Sequence, residues 1–235
     1  MRALVTGAGK RLGRAMAEAV GARGADVWLH YHQSEAGARE AQRNIEASGG
    51  RAFVGSADLS DLAQARELVQ RAIADLGGLD LLVVSAASFE RGGVDSLDDA
   101  GFERSLRFIL QSSFALAQEA APALRASQGS IVFITCTSSV RPFRGYLGYS
   151  VAKGALRQLM LGLAQELAPA VRVNAIAPGT VLPPPETTAE EHERYAHQAL
   201  LDRVGEADDV VRALLYLVDA PFVTAQELRV DGGRL

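Results

Sequence analysis

The sequence predicts an α/β fold with a doubly wound parallel sheet, held in a single domain of 235 residues. Short β-rich apolar runs alternate with longer helical patterns from one end of the chain to the other. The central runs, Leu81-Leu82-Val83-Val84 and Ile131-Val132-Phe133-Ile134, are apolar on both faces, as strands covered by helices on each side must be. No internal repeat and no domain-splitting linker interrupts the alternation, so right-handed crossovers wind one sheet.

The first strand, Arg2–Thr6, runs directly into Gly7, and an amphipathic stretch at Leu12–Ala22 follows as the first helix. Strands at Asp26–Tyr31, Arg51–Gly55 and Leu79–Ser85 come next, separated by amphipathic stretches near Ala36–Ala47 and Leu62–Leu76. The long helical pattern Phe102–Leu124 leads to the strand Ser130–Thr135, and the helix Val151–Leu167 to Val171–Ile176. A last helix at Ala207–Val218 precedes the strand Glu227–Val230, giving about seven strands. One segment, residues 180–203, breaks the rhythm. It holds Pro183-Pro184-Pro185 and then the charged run Glu190-Glu191-His192-Glu193-Arg194. Successive prolines enter neither a helix nor a central strand, so this is a surface excursion. After the carboxyl end of a strand it is well placed to serve as a substrate lid; a solvated loop and helix without a role fits the same residues.

Composition excludes several classes of function. A formal charge of −4 gives no reason to expect a nucleic-acid partner or an anionic membrane. The single cysteine, Cys136, excludes an intramolecular disulfide and a cysteine-rich zinc site, and no metal site is expected. No apolar run approaches the roughly 18 residues of a membrane span, and no signal-peptide pattern precedes Thr6-Gly7. The expectation is a cytoplasmic protein. Lysine is rare: among 24 basic residues only Lys10 and Lys153 are lysines. Both lie in motifs.

The first motif is Thr6-Gly7-Ala8-Gly9-Lys10-Arg11-Leu12-Gly13, between the first strand and the first helix. Glycines there let the backbone approach a pyrophosphate, whose charge meets the N–H groups of a helix N-terminus. The loop lacks the Gly-Lys-Ser/Thr ending that serves ATP or GTP. The second strand ends in His30-Tyr31-His32-Gln33-Ser34, without the acid that would hold a free ribose 2′-hydroxyl. Glu35 is the nearest carboxylate, and it reads better as a first-turn residue after an N-cap at Ser34. Lys10 and Arg11 lie within reach of a 2′-phosphate, and His30 and Ser34 add donors. The residues therefore favour NADP over NAD. Asp58-Leu59, after the third strand, is placed to touch adenine or to make a turn.

The second motif is Tyr149-Ser150-Val151-Ala152-Lys153. A spacing of four residues puts phenol and ammonium on one helix face. Tyrosine ordinarily loses its proton near pH 10; a neighbouring ammonium favours the phenolate and lowers that value, so the pair can exchange a proton with a carbonyl or carbinol oxygen.

Together with Asn174-Ala175-Ile176-Ala177-Pro178-Gly179 and the terminal Val230-Asp231-Gly232-Gly233, these motifs resemble the short-chain dehydrogenase/reductase family over essentially the whole chain. The resemblance implies a seven-stranded Rossmann-type sheet, hydride transfer from a nicotinamide, and a homotetramer or homodimer. It makes Tyr149 the proton donor and gives Lys153 the nicotinamide ribose as a second partner. It also places Pro178-Gly179 by the nicotinamide and Ser85-Ala86 in the cofactor contact after the fourth strand. Within the family the chain resembles the pteridine reductases. Arg11 stands where glycine is usual in the loop, and His30-Tyr31-His32 with Ser34 matches their 2′-phosphate segment. Ser88-Phe89 and Tyr146 match residues of their pterin pocket. Gln33 stands where that segment usually has arginine, and three further places depart from the family. Val84-Ser85-Ala86-Ala87 replaces Asn-Asn-Ala-Gly, Ile109 replaces an asparagine, and Cys136 stands where the family has serine and the pteridine reductases aspartate. A thiol is a weak donor, so Cys136 orients a substrate oxygen poorly unless Thr137 or Ser138 substitutes.

The expected activity is an NADPH-dependent reduction of a planar carbonyl or imine compound, a pterin among them. A reductase of 3-oxoacyl thioesters or other ketones is the alternative within the fold. From another class, an NADP-binding sensor or scaffold with impaired turnover is motivated by Ser85, Ile109 and Cys136.

Overall fold

The computed structural model describes residues 1–184 and 186–234, so Pro185 of the proline run lies outside the described residues. Seven parallel strands form one sheet in the order β3-β2-β1-β4-β5-β6-β7. They are β1 (Arg2–Val5), β2 (Asp26–Tyr31), β3 (Ala52–Ser56), β4 (Leu81–Val84), β5 (Ser130–Ile134), β6 (Arg172–Pro178) and β7 (Glu227–Val230). The register places Leu4 between Trp28 of β2 and Leu82 of β4. Winding reverses between β1 and β4, and that switch point opens a crevice at the carboxyl ends of the strands.

Helices α1 (Arg11–Gly21), α2 (Glu35–Ala47) and α8 (Ala207–Asp219) cover one face, where Met16, Val20, Ile45, Val210 and Leu214 meet Val5, Leu29 and Val83. On the other face lie α3 (Leu62–Leu76), α4 (Asp99–Leu106), α5 (Ser112–Ser127) and α6 (Leu147–Leu167), packing Leu68, Leu116, Leu124 and Leu156 on Leu4, Leu82 and Phe133. The predicted helix Phe102–Leu124 is real but not uniform. A π-helical turn, Arg107–Gln111, joins α4 to α5, and the buried Ile109 lies in it. Such single turns interrupt the i→i+4 ladder and re-aim the residues around them.

Buried polar groups tie the layers together. The wholly buried Asn174 donates from its side-chain amide to the Val223 carbonyl at 2.9 Å and accepts from the Gln226 amide at 3.0 Å. This pins the approach to β7. Arg172 donates to the carbonyls of Leu217 and Val218, which terminate α8.

The excursion after β6 contains a short helix, α7 (Ala189–Ala196), opened by a reciprocal capping box between Thr188 and Glu191. A bridge between Val181 and Gly205 closes its neck. No helix among the described residues is long and apolar enough to cross a membrane.

Candidate active site

A cleft of about 1390 Å³ runs along the carboxyl ends of the strands. The expected cofactor, catalytic and substrate residues line it: Gly7 and Lys10 to Gly13, His30 to His32, Ser34, Asp58, Leu59, Ser85, Ala86, Ser88, Phe89, Cys136, Tyr146, Tyr149, Lys153, Pro178 and Gly179. The fold therefore gathers both motifs into one crevice.

At the β1 end the glycines have mechanical reasons. Gly7 has a φ of +69° and lies against Ala86, and a Cβ at Gly13 would meet the Gly7 carbonyl oxygen at 2.2 Å. Thr6 holds the neighbouring loop, its hydroxyl accepting from the Ser85 and Ala86 amides at 3.0 and 3.1 Å. The loop ends on α1, whose first turn carries no acid and whose first amides lack intrahelical acceptors by helix geometry. A close-packed glycine turn, free helix-terminal amides and the exposed Lys10 fit a dinucleotide's pyrophosphate.

Three sequence expectations are corrected here. His30 is not a free donor for a phosphate. Its Nδ1 accepts from the Gly7 amide at 3.1 Å and its Nε2 faces the Ala57 carbonyl oxygen at 3.1 Å, so the ring braces the glycine loop. Burial pushes its pKa down to about 4, which keeps it neutral. Arg11 does not point along β2. Its guanidinium donates to the Leu182 carbonyl in the excursion, and its φ of +53° is left-handed, where glycine is at ease. Ser34 occupies the N-cap position of α2 but makes no side-chain cap; it packs against Gly9 instead. Tyr31 and His32 line the cleft beyond it, His32 exposed. The Asp58 carboxylate accepts from the Ser60 amide and hydroxyl at 2.9 and 2.7 Å, making a turn beside the buried Leu59.

The other end is built on α6, which begins at Leu147, four residues earlier than its apolar period predicts. Tyr149 and Lys153 are both buried on its inner face. Lys153 Nζ donates to the Ile134 carbonyl at 2.7 Å and lies 5.7 Å from the Tyr149 ring centre. The expected lowering of the phenol does not occur. Burial holds Tyr149 well above its usual value, Cys136 pushes the same way, and burial lowers Lys153 to about 8. A phenol so placed is a protonated acid at neutral pH.

Cys136 lines the cleft beside Tyr149, whereas Thr137 and Ser138 do not line it and their hydroxyls are buried without a partner. Neither takes the place of Cys136. Phe89 stacks on Tyr146 at 4.2 Å and meets the edge of Tyr149 at 4.8 Å, walling the phenol from the outer cleft.

Several cleft residues escape sequence reasoning. Arg91 donates to the Tyr146 hydroxyl at 2.9 Å, Arg234 lies 5.0 Å over Phe143, and Arg144 and Tyr195 line the same region. Arg91, Arg144 and Arg234 come from irregular segments and Tyr195 from the short α7, and no local signal marks them. Glu227 is also missed. Its nearly buried carboxylate accepts from Thr135 at 2.7 Å, from Ser139 at 3.3 Å and from Arg157 at 2.9 Å, bracketing the turn that carries Cys136.

Comparison with known proteins agrees with this geometry. The family profile described as Enoyl-(Acyl carrier protein) reductase matches residues 7–234. An uncharacterized oxidoreductase of Methylorubrum extorquens is 34% identical over 98% of this chain and 96% of its own. A short chain dehydrogenase from Burkholderia cenocepacia, solved in complex with NADP, superposes with a TM-score of 0.93 at 32% identity, covering 99% of this chain and 96% of that one. The FolM alternative dihydrofolate reductase 1 from Brucella suis, also in complex with NADP, gives a TM-score of 0.92 at 33% identity, covering 99% and 94%. With a switch-point crevice, a glycine turn on α1 and a Tyr149/Lys153 pair on α6, this chain belongs to the short-chain dehydrogenase/reductase family of NAD(P)-dependent oxidoreductases.

Proposed function

We propose that the protein is an NADPH-dependent reductase of a planar carbonyl or imine substrate, with pterins within its range. The observation that carries this reading is the buried, protonated Tyr149 phenol beneath the Phe89–Tyr146 stack, at the end of a cleft that starts at the glycine loop. The bound dihydronicotinamide would supply the hydride. The chain would do the rest. Tyr149 delivers the proton to the developing oxyanion or ring nitrogen. Lys153, held on the Ile134 carbonyl, offers its remaining N–H groups to the ribose and its charge to the phenol. Phe89 and Tyr146 present an aromatic wall to a flat ring, with Ser88 beside it. Residues 180–203 act as the lid, tethered to the glycine loop through Arg11 and Leu182. NADPH is favoured over NADH because Lys10 on the glycine loop and His32 past the β2 end line the cleft as donors, and the β2 end carries no acid before Glu35.

Cys136 favours a second reading. A thiol is a poorer hydrogen-bond donor than the aspartate that the pteridine reductases have at this position, so ketones, including 3-oxoacyl thioesters, are expected to be reduced faster than fully oxidised pterins. A homotetramer or homodimer, proposed from the resemblance, is supported by the exposed Phe114 on α5, Tyr216 on α8 and Phe222.

The test is steady-state oxidation of NADPH and NADH with a panel of ketones, dihydropterins and oxidised pterins. Turnover of planar substrates with NADPH is expected; no oxidation with any of them, despite saturable NADPH binding, would leave the sensor reading instead.

A further inference from the structure

Three guanidinium groups from distant parts of the chain meet on one loop, Phe143–Tyr146, just before α6. Arg91 donates through Nε to the Tyr146 hydroxyl at 2.9 Å and lies 5.7 Å over that ring. Arg234, from the end of the chain, lies 5.0 Å over the Phe143 ring. Arg144 lies between them in sequence, exposed and lining the cleft. The loops are zipped together by backbone bonds, Gly92 donating to Gly145 and Leu147 to Gly92, each at 2.8 Å. One stacked ring, Phe89, separates this cluster from the Tyr149 phenol.

Several arginines elsewhere are ion-paired, Arg2 with Asp80, Arg14 with Glu18 and Glu40, Arg51 with Asp26 and Arg203 with Asp209, while Arg11 and Arg107 at the cleft donate to backbone carbonyls. Among the described residues, Arg91, Arg144 and Arg234 have no carboxylate within ion-pair distance. Glu90, also at the cleft, lies by Arg104 at 4.0 Å; Glu191 is paired with Arg194 at 3.7 Å, and its charge also favours the Arg91 cation from a distance. Arg234 is fixed all the same. It donates to the Thr180 hydroxyl at 2.6 Å and to the Gln198 side-chain oxygen at 2.8 Å, both neutral acceptors. A guanidinium has five N–H donors, and two fixed by neutral partners leave the others for an anion. Arg234 is partly buried on neutral partners and the exposed Arg91 is held on the Tyr146 hydroxyl, an arrangement suited to a ligand that brings the missing charge.

We propose that the substrate carries one or more carboxylates on the side remote from its reducible bond, seated by Arg91, Arg144 and Arg234. The planar guanidinium fork matches a carboxylate in two parallel hydrogen bonds. The proposal rests on the reductase reading of the cleft and deepens it: the reducible ring lies toward Tyr149 and the anionic tail at the outer rim.

A matched pair of substrates tests it: 7,8-dihydrobiopterin and 7,8-dihydrofolate share the reducible ring and differ in a carboxylated tail. A neutral ketone and its chain-extended carboxylate form a second pair. In each pair the carboxylated member is expected to have a kcat/KM at least tenfold higher. The advantage should appear in KM, shrink as salt rises from 0.05 to 0.5 M, and fall toward one in the Arg144→Gln/Arg234→Gln double variant. Direct binding to the protein is followed in parallel by quenching of ligand fluorescence. Equal kcat/KM within both pairs, with turnover intact, overturns the carboxylate proposal and leaves the reductase standing. A tenfold tighter, arginine-dependent binding of the carboxylated member without any turnover supports the anion seat and removes the reductase. A preference that survives the double variant unchanged overturns the assignment to these arginines, as does the absence of saturable binding of either carboxylated compound up to millimolar.

Discussion

His30 couples the acid stability of the protein to its glycine loop, and the size of the coupling can be worked out. Its ring is 2% exposed and its Nδ1 must stay unprotonated to accept the Gly7 amide. Burial, with a smaller push from His32 and Arg71, lowers its pKa from 6.5 to about 4. A base lowered on folding leaves stability unaffected above its unfolded value and removes it as the pH falls toward the folded one. The window is therefore pH 6.5 down to about 4. Linkage over these two values removes about 2 kcal/mol between pH 7 and pH 5, at close to 1.4 kcal/mol per pH unit. His30→Asn does not titrate, and its side-chain oxygen can still accept from Gly7. It loses the ring's packing and the contact with the Ala57 carbonyl, costing about 1–3 kcal/mol at pH 7. Urea unfolding, followed by the fluorescence of the single tryptophan Trp28, measures both proteins from pH 7.5 to 4.5. The gap between them should close by about 2 kcal/mol on going to pH 5, since the carboxylates they share cancel. Curves that stay parallel would refute the neutral, bracing role of His30.

Replacing Tyr149 by Phe should abolish reduction while leaving NADPH affinity within about twofold, because the ring still fills its space. A residual rate above about a tenth would mean less than about 1.4 kcal/mol from the hydroxyl, too little for the principal acid. Lys10→Ala should reduce the preference for NADPH over NADH by roughly tenfold, since a charged phosphate contact contributes about 1.5–3 kcal/mol; calorimetric titration with both cofactors checks it. Arg11→Ala should instead raise the substrate KM with little effect on that preference, because Arg11 is bonded to the lid carbonyl of Leu182. Glu227→Ala leaves Arg157, Thr135 and Ser139 without their shared acceptor. A loss of about 2–4 kcal/mol of stability is expected by thermal or urea unfolding, and a variant within about 0.5 kcal/mol of the parent would show that the network is dispensable.

The sheet was legible because buried parallel strands leave long apolar signatures that nothing else in the chain imitates. All seven strands lie where the apolar runs put them, and the errors sit at the ends. Leu79–Ser85 shortens to Leu81–Val84 since the Leu79 carbonyl accepts from Ser127 and the Ser85 amide donates to Thr6. Those bonds bridge some 48 and 79 residues, a distance over which local pattern carries no information. The π turn at Arg107–Gln111 was invisible for a different reason: five residues of wider winding barely disturb a 3.6-residue period. At the site, residue types were legible and their partners were not. A histidine at a strand end reads as a donor until both its nitrogens are seen to be engaged, and an arginine in a glycine loop reads as a phosphate ligand until its guanidinium is found on the lid. Arg91, Arg144 and Arg234 are 53 and 90 residues apart in sequence and meet only because the Gly92–Gly145 bonds and the chain end bring them to one loop.

The competition at Tyr149 between burial and the Lys153 charge sets the pH dependence expected of each direction of the reaction. An ammonium roughly 6 Å from a phenolate in a medium of effective dielectric about 20 stabilises it by about 3 kcal/mol, or about 2 pKa units. Lys153 Nζ lies 5.7 Å from the ring centre, yet the phenol stays well above its usual value. Desolvation therefore outweighs the charge, helped by Cys136 and by the loss of Lys153 charge as its own pKa falls to about 8. An acid held that high is protonated throughout pH 6–8, so single-turnover reduction should be flat from pH 6 to 7, with any change nearer pH 8 following Lys153. The reverse oxidation needs the phenolate, whose population rises tenfold per pH unit below the pKa, so its rate should climb with a slope near one from pH 6 to 9. Measuring both limbs on one substrate pair separates the alternatives. A reduction rate that falls above pH 7, with oxidation levelling off near the same value, would mean that Lys153 wins and the phenol titrates near neutrality. The flat and rising limbs would instead mark a site built to give its proton away.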